Sequence, residues 1–192
     1  MSGVPGSGKS TVAALLGRSL PNTIVINHDL LKSFFLDQSH PFDASAKLAY
    51  SLDWILAEDF MKQGKSVILD SVCNYNETLE NGTRLAEKYG FGYRYVECRC
   101  EDLEAVERRL RGRVGMRSQR TGVDQPPPDA GVVGDKEDKK ALFQRWFGNP
   151  SRPAGEAIVV DSSGTPEECV ASILERLRGE DAAGRQVSGD AV

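Results

Sequence analysis

The stretch GVPGSGKS, Gly3 to Ser10, decides the reading of this chain. It satisfies G-x-x-x-x-G-K-[ST] at every fixed position, through Gly3, Gly8, Lys9 and Ser10. Glycines at Gly3, Gly6 and Gly8 let the backbone turn tightly enough for successive N–H groups to converge on phosphate oxygens. Pro5, Ser7 and Thr11 complete the candidate loop. Lys9 adds a positive charge for the β- and γ-phosphates of a nucleoside triphosphate, and the Ser10 hydroxyl suits Mg²⁺. Val12, Leu15, Leu16 and Leu20 follow at helical spacing, so the loop opens a helix whose N-terminal dipole adds to the anion site. A chance glycine-rich turn does not account for both the full match and the helix behind it.

Working outward, apolar runs alternate with helical patterns. Thr23 to Asn27 (TIVIN) reads as a short buried strand, and Asp29 to about Asp37 as a helix. A further helix follows Pro41, with Asp43 as N-cap and Leu48, Leu52, Ile55, Leu56 and Phe60 on one face, until Gly64. Ser66 to Asp70 (SVILD) is the clearest strand, a continuous apolar run that points to a parallel sheet covered on both faces. Asn76 to Tyr89 reads as a helix, Tyr93 to Cys98 as a strand, and a helix from Glu101-Asp102 reaches Arg111. Residues 112–134 are rich in Gly, Arg and Pro and show no periodicity, the pattern of a functional lid. Asp135 to Phe147 is expected as a helix, Ala157 to Val160 as a strand and Thr165 to Arg178 as the last helix. The expectation is one kinase-sized domain over residues 1–178 and a disordered tail over 179–192.

Three groups of residues could carry chemistry. Asp70 ends its apolar run, where a carboxylate would face the phosphates and hold Mg²⁺; the alternative is an Asp that merely ends a strand. Asp29 follows the preceding strand at the same edge, where it could take a proton from a hydroxyl or simply cap the helix behind it. His28 reads as a satisfied, partly buried histidine. Arg108, Arg109, Arg111, Arg113, Arg117 and Arg120 straddle a helix end and the irregular segment. Arginines there can close on a transferring phosphoryl group, with Arg113 and Arg117 the lid candidates. A helix-dipole role suits Arg108 or Arg109 better.

Together the loop, Asp29, Asp70 and the arginine-rich lid resemble the zeta-toxin-like and polynucleotide-kinase-like group of small P-loop kinases. The resemblance covers roughly residues 1–178. It implies the P-loop NTPase fold, a three-layer α/β/α sandwich around a mostly parallel sheet, with ATP and Mg²⁺ as cofactors. It also implies Asp29 as the base, with Asn74 beside Asp70 and Arg84 on the next helix lining an acceptor site. Where polynucleotide kinases carry an arginine three residues after the base, this chain has Lys32, which cannot replace a bidentate phosphate ligand. Lys32 is therefore a substrate-site candidate of a different kind.

The resemblance also implies a strand ahead of the loop, yet only Met1 and Ser2 precede Gly3. About five buried apolar residues, at roughly 1.5–3 kcal/mol each, would be absent from the middle of the sheet, so a truncated first strand is expected.

Composition bounds the rest. The 192 residues, 40% hydrophobic and 27% charged, suit one soluble α/β domain. A net charge of −4 argues against bulk nucleic-acid binding but leaves a local basic patch open. Apolar runs are too short for a membrane span. The 4 cysteines form no C-x-x-C pair and only 2 histidines accompany them, the usage of a cytosolic protein with reduced thiols and no zinc site. The expected activity is phosphotransfer from ATP to a hydroxyl. A slow nucleotide switch or a nucleoside monophosphate kinase is the alternative. The acceptor and the oligomeric state are not legible.

Overall fold

In a computed structural model, residues 1–72, 76–130, 143, 152–153, 155 and 157–187 are described. The elements are α1 (Lys9–Ser19), β1 (Thr23–Asn27), α2 (His28–Asp37), α3 (Phe42–Lys62), β2 (Ser66–Asp70), α4 (Asn76–Tyr89), β3 (Tyr95–Arg99), α5 (Leu103–Gly112), β4 (Ala157–Asp161) and α6 (Pro166–Val187). This is an α/β fold in which every strand pair is parallel. The helix expected over Asp135–Phe147 and the substrate candidate Asn74 lie outside the described residues.

The strands form two pairs, β1 with β2 and β3 with β4. Among the described residues, what joins them is the dipeptide Met1-Ser2. The Met1 nitrogen donates to the Leu69 carbonyl at 2.9 Å, and the Ser71 N–H donates to the Met1 carbonyl at 3.4 Å. On the other side the Ser2 N–H donates to Val96 O at 2.7 Å and accepts from the Cys98 N–H at 2.9 Å. Met1 and Ser2 thus hold a ladder position between β2 and β3. Beside them lies a cavity of about 440 Å³ walled by apolar side chains, including Leu16, Leu69, Leu85 and Val96.

The two faces of the sheet follow from its period of two. Ile68 packs with Val12, Leu16, Val96, Ile158 and Ile173 on the side of α1 and α6. Its neighbours Val67 and Leu69 pack with Ile26, Ala57 and Leu85 on the side of α3 and α4. A third cluster of Cys100, Val106, Leu110, Val123 and Phe143 seats α5 and part of the irregular segment. Burial pushes the Cys98 thiol up to about 12, so it is inert beneath the sheet.

Several boundaries differ from the sequence reading. Asp43 lies in the first turn of α3, behind Pro41 at the cap position. Leu48 and Ile55 face solvent, whereas the buried seam of α3 is Ser45, Ala49, Asp53 and Ala57. Small side chains four apart let α3 approach its neighbours closely, and Asp53 enters that seam because His28 bonds to it. β3 begins at Tyr95 rather than Tyr93. The last helix continues past Arg178 to Val187.

Replacing Ser2 by proline removes the N–H that reaches Val96 while leaving the loop residues unchanged. Ser2→Pro is expected to lower the melting temperature by roughly 5 °C, and Ser2→Ala, which keeps the bond, by much less, as followed by circular dichroism.

Candidate functional site

The loop between Ser2 and α1 is shaped by two close contacts. A Cβ on Gly3, whose φ is +146°, would lie 2.6 Å from the Cys98 carbonyl, and one on Gly6, at φ +87°, would meet Val106 and Leu110 at 3.0 Å. Gly8, also left-handed, is the N-cap of α1. The result is a pocket of about 340 Å³ lined by Gly6 to Val12. Its other wall is Arg109 and Arg113 from α5 and its end, with Ser162, Gly164, Pro166 and Cys169 after β4. Lys9, only 6% exposed, is the cation on its floor. Gly3 and Pro5 lie outside the lining, and Gly3 acts by packing the loop onto β3.

The wall is held by Arg109, which donates from Nη2 to the Ser162 carbonyl at 2.8 Å and to that of Ser163 at 3.3 Å. Its Nη1 is buried with no protein partner, as are Arg113 Nε and Ser7 Oγ. Buried donors left open in an anion pocket are what a bound polyphosphate would satisfy.

Across the sheet, register pairs Asn27 with Asp70 at the carboxyl ends of β1 and β2. Asp70 is 3% exposed and its Oδ1 has no protein partner. Asp29 is one residue into α2 and does not cap it: the Asn27 side chain accepts from Leu30 N at 3.1 Å instead. The Asp29 carboxylate is held from the irregular segment. Gln119 Nε2 donates to its Oδ2 at 2.8 Å, and Ser118 Oγ donates to its backbone carbonyl at 2.9 Å.

Beneath Asp29, His28 Nδ1 lies 2.6 Å from Oδ2 of Asp53, which is fully buried. Burial pushes the Asp53 carboxyl up, His28 pulls it back, and the charges of Asp29 and Asp70 push it further. Both carboxylates therefore lie within electrostatic reach of one buried point. Lys9 and Asp70 are likewise both felt at Cys98. Asp70 ends β2 and Asp29 lies two residues past the end of β1, so both stand at the carboxyl edge of that strand pair.

The arginines separate. Arg113 is half-buried, donates to the Arg120 carbonyl at 2.6 Å, and lines the loop pocket; burial lowers its pKa while the nearby Asp29 charge raises it. Arg117 is exposed and engaged with both oxygens of Asp129, at 2.7 and 2.9 Å, and with the Leu36 carbonyl at 2.8 Å. The structure thus places Arg117 as a tether of the segment, outside the pocket lining. Lys32 sits 3.5 Å from the centre of the Phe42 ring; burial lowers its pKa and Asp29 and Asp43 raise it. Arg84 is exposed on α4 and donates to Asn81 at 2.9 Å, so the structure does not bring it to this group. Arg109, Gln119 and the Ser162–Pro166 wall are the residues that sequence reasoning did not assign to the site.

The residues fit a magnesium ion as the motif implies it. Ser10 stands in the pocket wall and Asp70 is a buried carboxylate with an open oxygen. Among the described residues there is no cluster of acidic, Cys and His side chains that could hold a metal alone.

Residues 1–126 match the model of the AAA domain family (AAA_33), and the chain belongs to that family. No curated protein matches it. Among solved structures it is similar to a gluconokinase from Sinorhizobium meliloti (18% identity, 98% of this chain and 94% of that one, TM-score 0.59). It is similar also to a sugar kinase from Janibacter (16%, 92% and 91%, TM-score 0.60). A third is the Mycobacterium tuberculosis APS kinase in complex with AMPPNP and APS (16%, 92% and 94%, TM-score 0.52). At these identities the likeness establishes the fold alone. Among the described residues, no helix is long and apolar enough to cross a membrane.

Gly6→Ala fills the contact with Val106 and Leu110 and strains a left-handed residue inside the loop. Titration calorimetry is expected to show at least about tenfold weaker triphosphate binding. Gly90→Ala, with comparable strain at φ +72° and open space around it, should leave binding unchanged.

Proposed function

We propose that this chain is an ATP- and Mg²⁺-dependent phosphotransferase that moves the γ-phosphoryl group of ATP to a hydroxyl of a small-molecule acceptor. The observation that carries this reading is Asp29. It is a carboxylate at the strand edge beside the phosphate pocket, not needed as a helix cap, and oriented by a side chain from the opposite segment. A pocket for nucleotide alone would have no use for it. The fold shared with a gluconokinase and a sugar kinase supports a hydroxyl acceptor.

In this reading the loop N–H groups and Lys9 hold the β- and γ-phosphates, and Arg109 with the wall after β4 flanks the rest of the nucleotide. Asp29 accepts the proton of the acceptor hydroxyl as its oxygen bonds to the γ-phosphorus and the bond from that phosphorus to the β–γ bridging oxygen breaks. ADP leaves with the bridging oxygen. Arg113 neutralises charge that develops on the transferring group. Ser10 and Asp70 would hold Mg²⁺, whose charge screens the phosphates. Lys32 and Asn74 remain candidates for acceptor contacts. Nothing in the site requires a nucleic acid.

Transfer of labelled γ-phosphate to a panel of sugars, nucleotide sugars, nucleosides and 5′-hydroxyl oligonucleotides tests the reading. Labelling of an acceptor is expected, and Asp29→Asn should lower it by about a hundred- to ten-thousand-fold with ATP affinity nearly unchanged. Release of inorganic phosphate alone, whatever acceptor is offered, would replace the kinase reading by that of a nucleotide switch.

A further inference from the structure

The irregular segment from Arg113 to Arg120 lies along one stripe of α2. It contacts Asp29 in the first turn, Ser33 in the middle and Leu36 in the last, positions related as i, i+4 and i+7 on one helix face. Ser118 N–H donates to Ser33 Oγ at 3.0 Å, and the Ser33 hydroxyl donates to Ser118 Oγ at 2.9 Å. Arg117 closes the far end on the Leu36 carbonyl. Ser118, Gln119 and Arg120 are all buried, at 6%, 9% and 5% exposure, so this is a packed contact.

Within it the Gln119 carboxamide can point only one way. Its Oε1 accepts the Met116 N–H at 3.2 Å, which aims Nε2 at Asp29 Oδ2. A flipped amide would lose the Met116 bond and set oxygen against carboxylate oxygen. The chain of bonds runs from a backbone N–H through a fixed amide to one carboxylate oxygen. Ser118 lies 3.4 Å from the other oxygen, Oδ1, but spends its hydroxyl proton on the Asp29 carbonyl at 2.9 Å. Oδ1 therefore keeps lone pairs in a fixed direction, while the same segment carries Arg113 to the loop pocket.

We infer that Gln119 is the positioning residue for Asp29: its fixed amide holds one carboxylate oxygen, so that the other is presented in a set direction. The inference rests on the reading of Asp29 as the base.

The test is a double-mutant cycle on transfer kinetics with Asp29→Asn and Gln119→Ala. Gln119→Ala alone is expected to lower kcat by about tenfold or more with KM for ATP unchanged, at assay temperatures well below a melting temperature lowered by a few degrees. Added to Asp29→Asn, it should cost nothing further. Gln119→Glu, which cannot donate and repels the carboxylate, should be worse than alanine. Hydrogen exchange at the Ser118 amide should stay slow in Gln119→Ala, showing that the segment still docks. Equal losses with and without Asp29, an unchanged kcat, or a kcat loss that tracks a falling melting temperature would each overturn the inference. Full transfer by Asp29→Asn alone would instead remove the base reading, and that outcome is distinct from additivity in the cycle.

Discussion

Four backbone hydrogen bonds, made by two residues, join the two strand pairs of this fold among the described residues. Met1 bonds to β2 and Ser2 to β3, and Gly3 begins the phosphate loop immediately afterwards. The position of the loop relative to Asp70 and Asp29 therefore depends on the ladder that Met1 and Ser2 make. Gly3 tightens the dependence, since its Cα approaches the Cys98 carbonyl too closely for any side chain. Met1 packs against the core cluster that includes Val12, Leu16, Val96 and Ile158, and Ser2 is buried, so side-chain burial backs those bonds.

Parallel pairing then collects the chemistry. Because β1 and β2 run in register, their carboxyl ends coincide, and the residues just after them share an edge without being near in sequence. Asn27 takes the capping duty for α2, which leaves the Asp29 side chain open to a partner across the cleft. Asp53, drawn into the α3 seam by His28, is a buried carboxyl whose proton affinity is raised by burial and, to a lesser degree, by the charges of Asp29 and Asp70. Positive charge at Lys9 and Arg113 is what these carboxylates need on their open side, and phosphates brought there meet cations first.

The legible part of this site was the part encoded by contiguous residues. The loop match, the strands Thr23–Asn27 and Ser66–Asp70, and the two edge carboxylates could be read because each depends on local pattern alone. Contacts between distant segments left no such trace. Gln119 lies in a stretch without periodicity, and nothing in its neighbours points to a carboxylate far back in the chain. The face of α3 was legible only in part: Leu56 and Phe60 pack against the core, but Leu48 and Ile55 face solvent, and the buried positions are small residues and one aspartate.

The arginine cluster shows why residue type alone could not name the catalyst. All its members carry the same guanidinium, and what separates them is which acceptor each meets first. Arg111 meets Glu107 and Asp124, Arg117 meets Asp129, and Arg109 meets the carbonyls after β4. Arg113 resembles Arg109: its partner is the neutral Arg120 carbonyl, and it sits half-buried on the pocket wall under the influence of Asp29. A guanidinium whose charge is not cancelled by a carboxylate contact keeps its field for whatever anion enters beside it. Glu107, Asp124 and Asp129 thus shape the site as much as the basic residues do, by occupying Arg111 and Arg117 while Arg109 and Arg113 stand on the wall of the loop pocket.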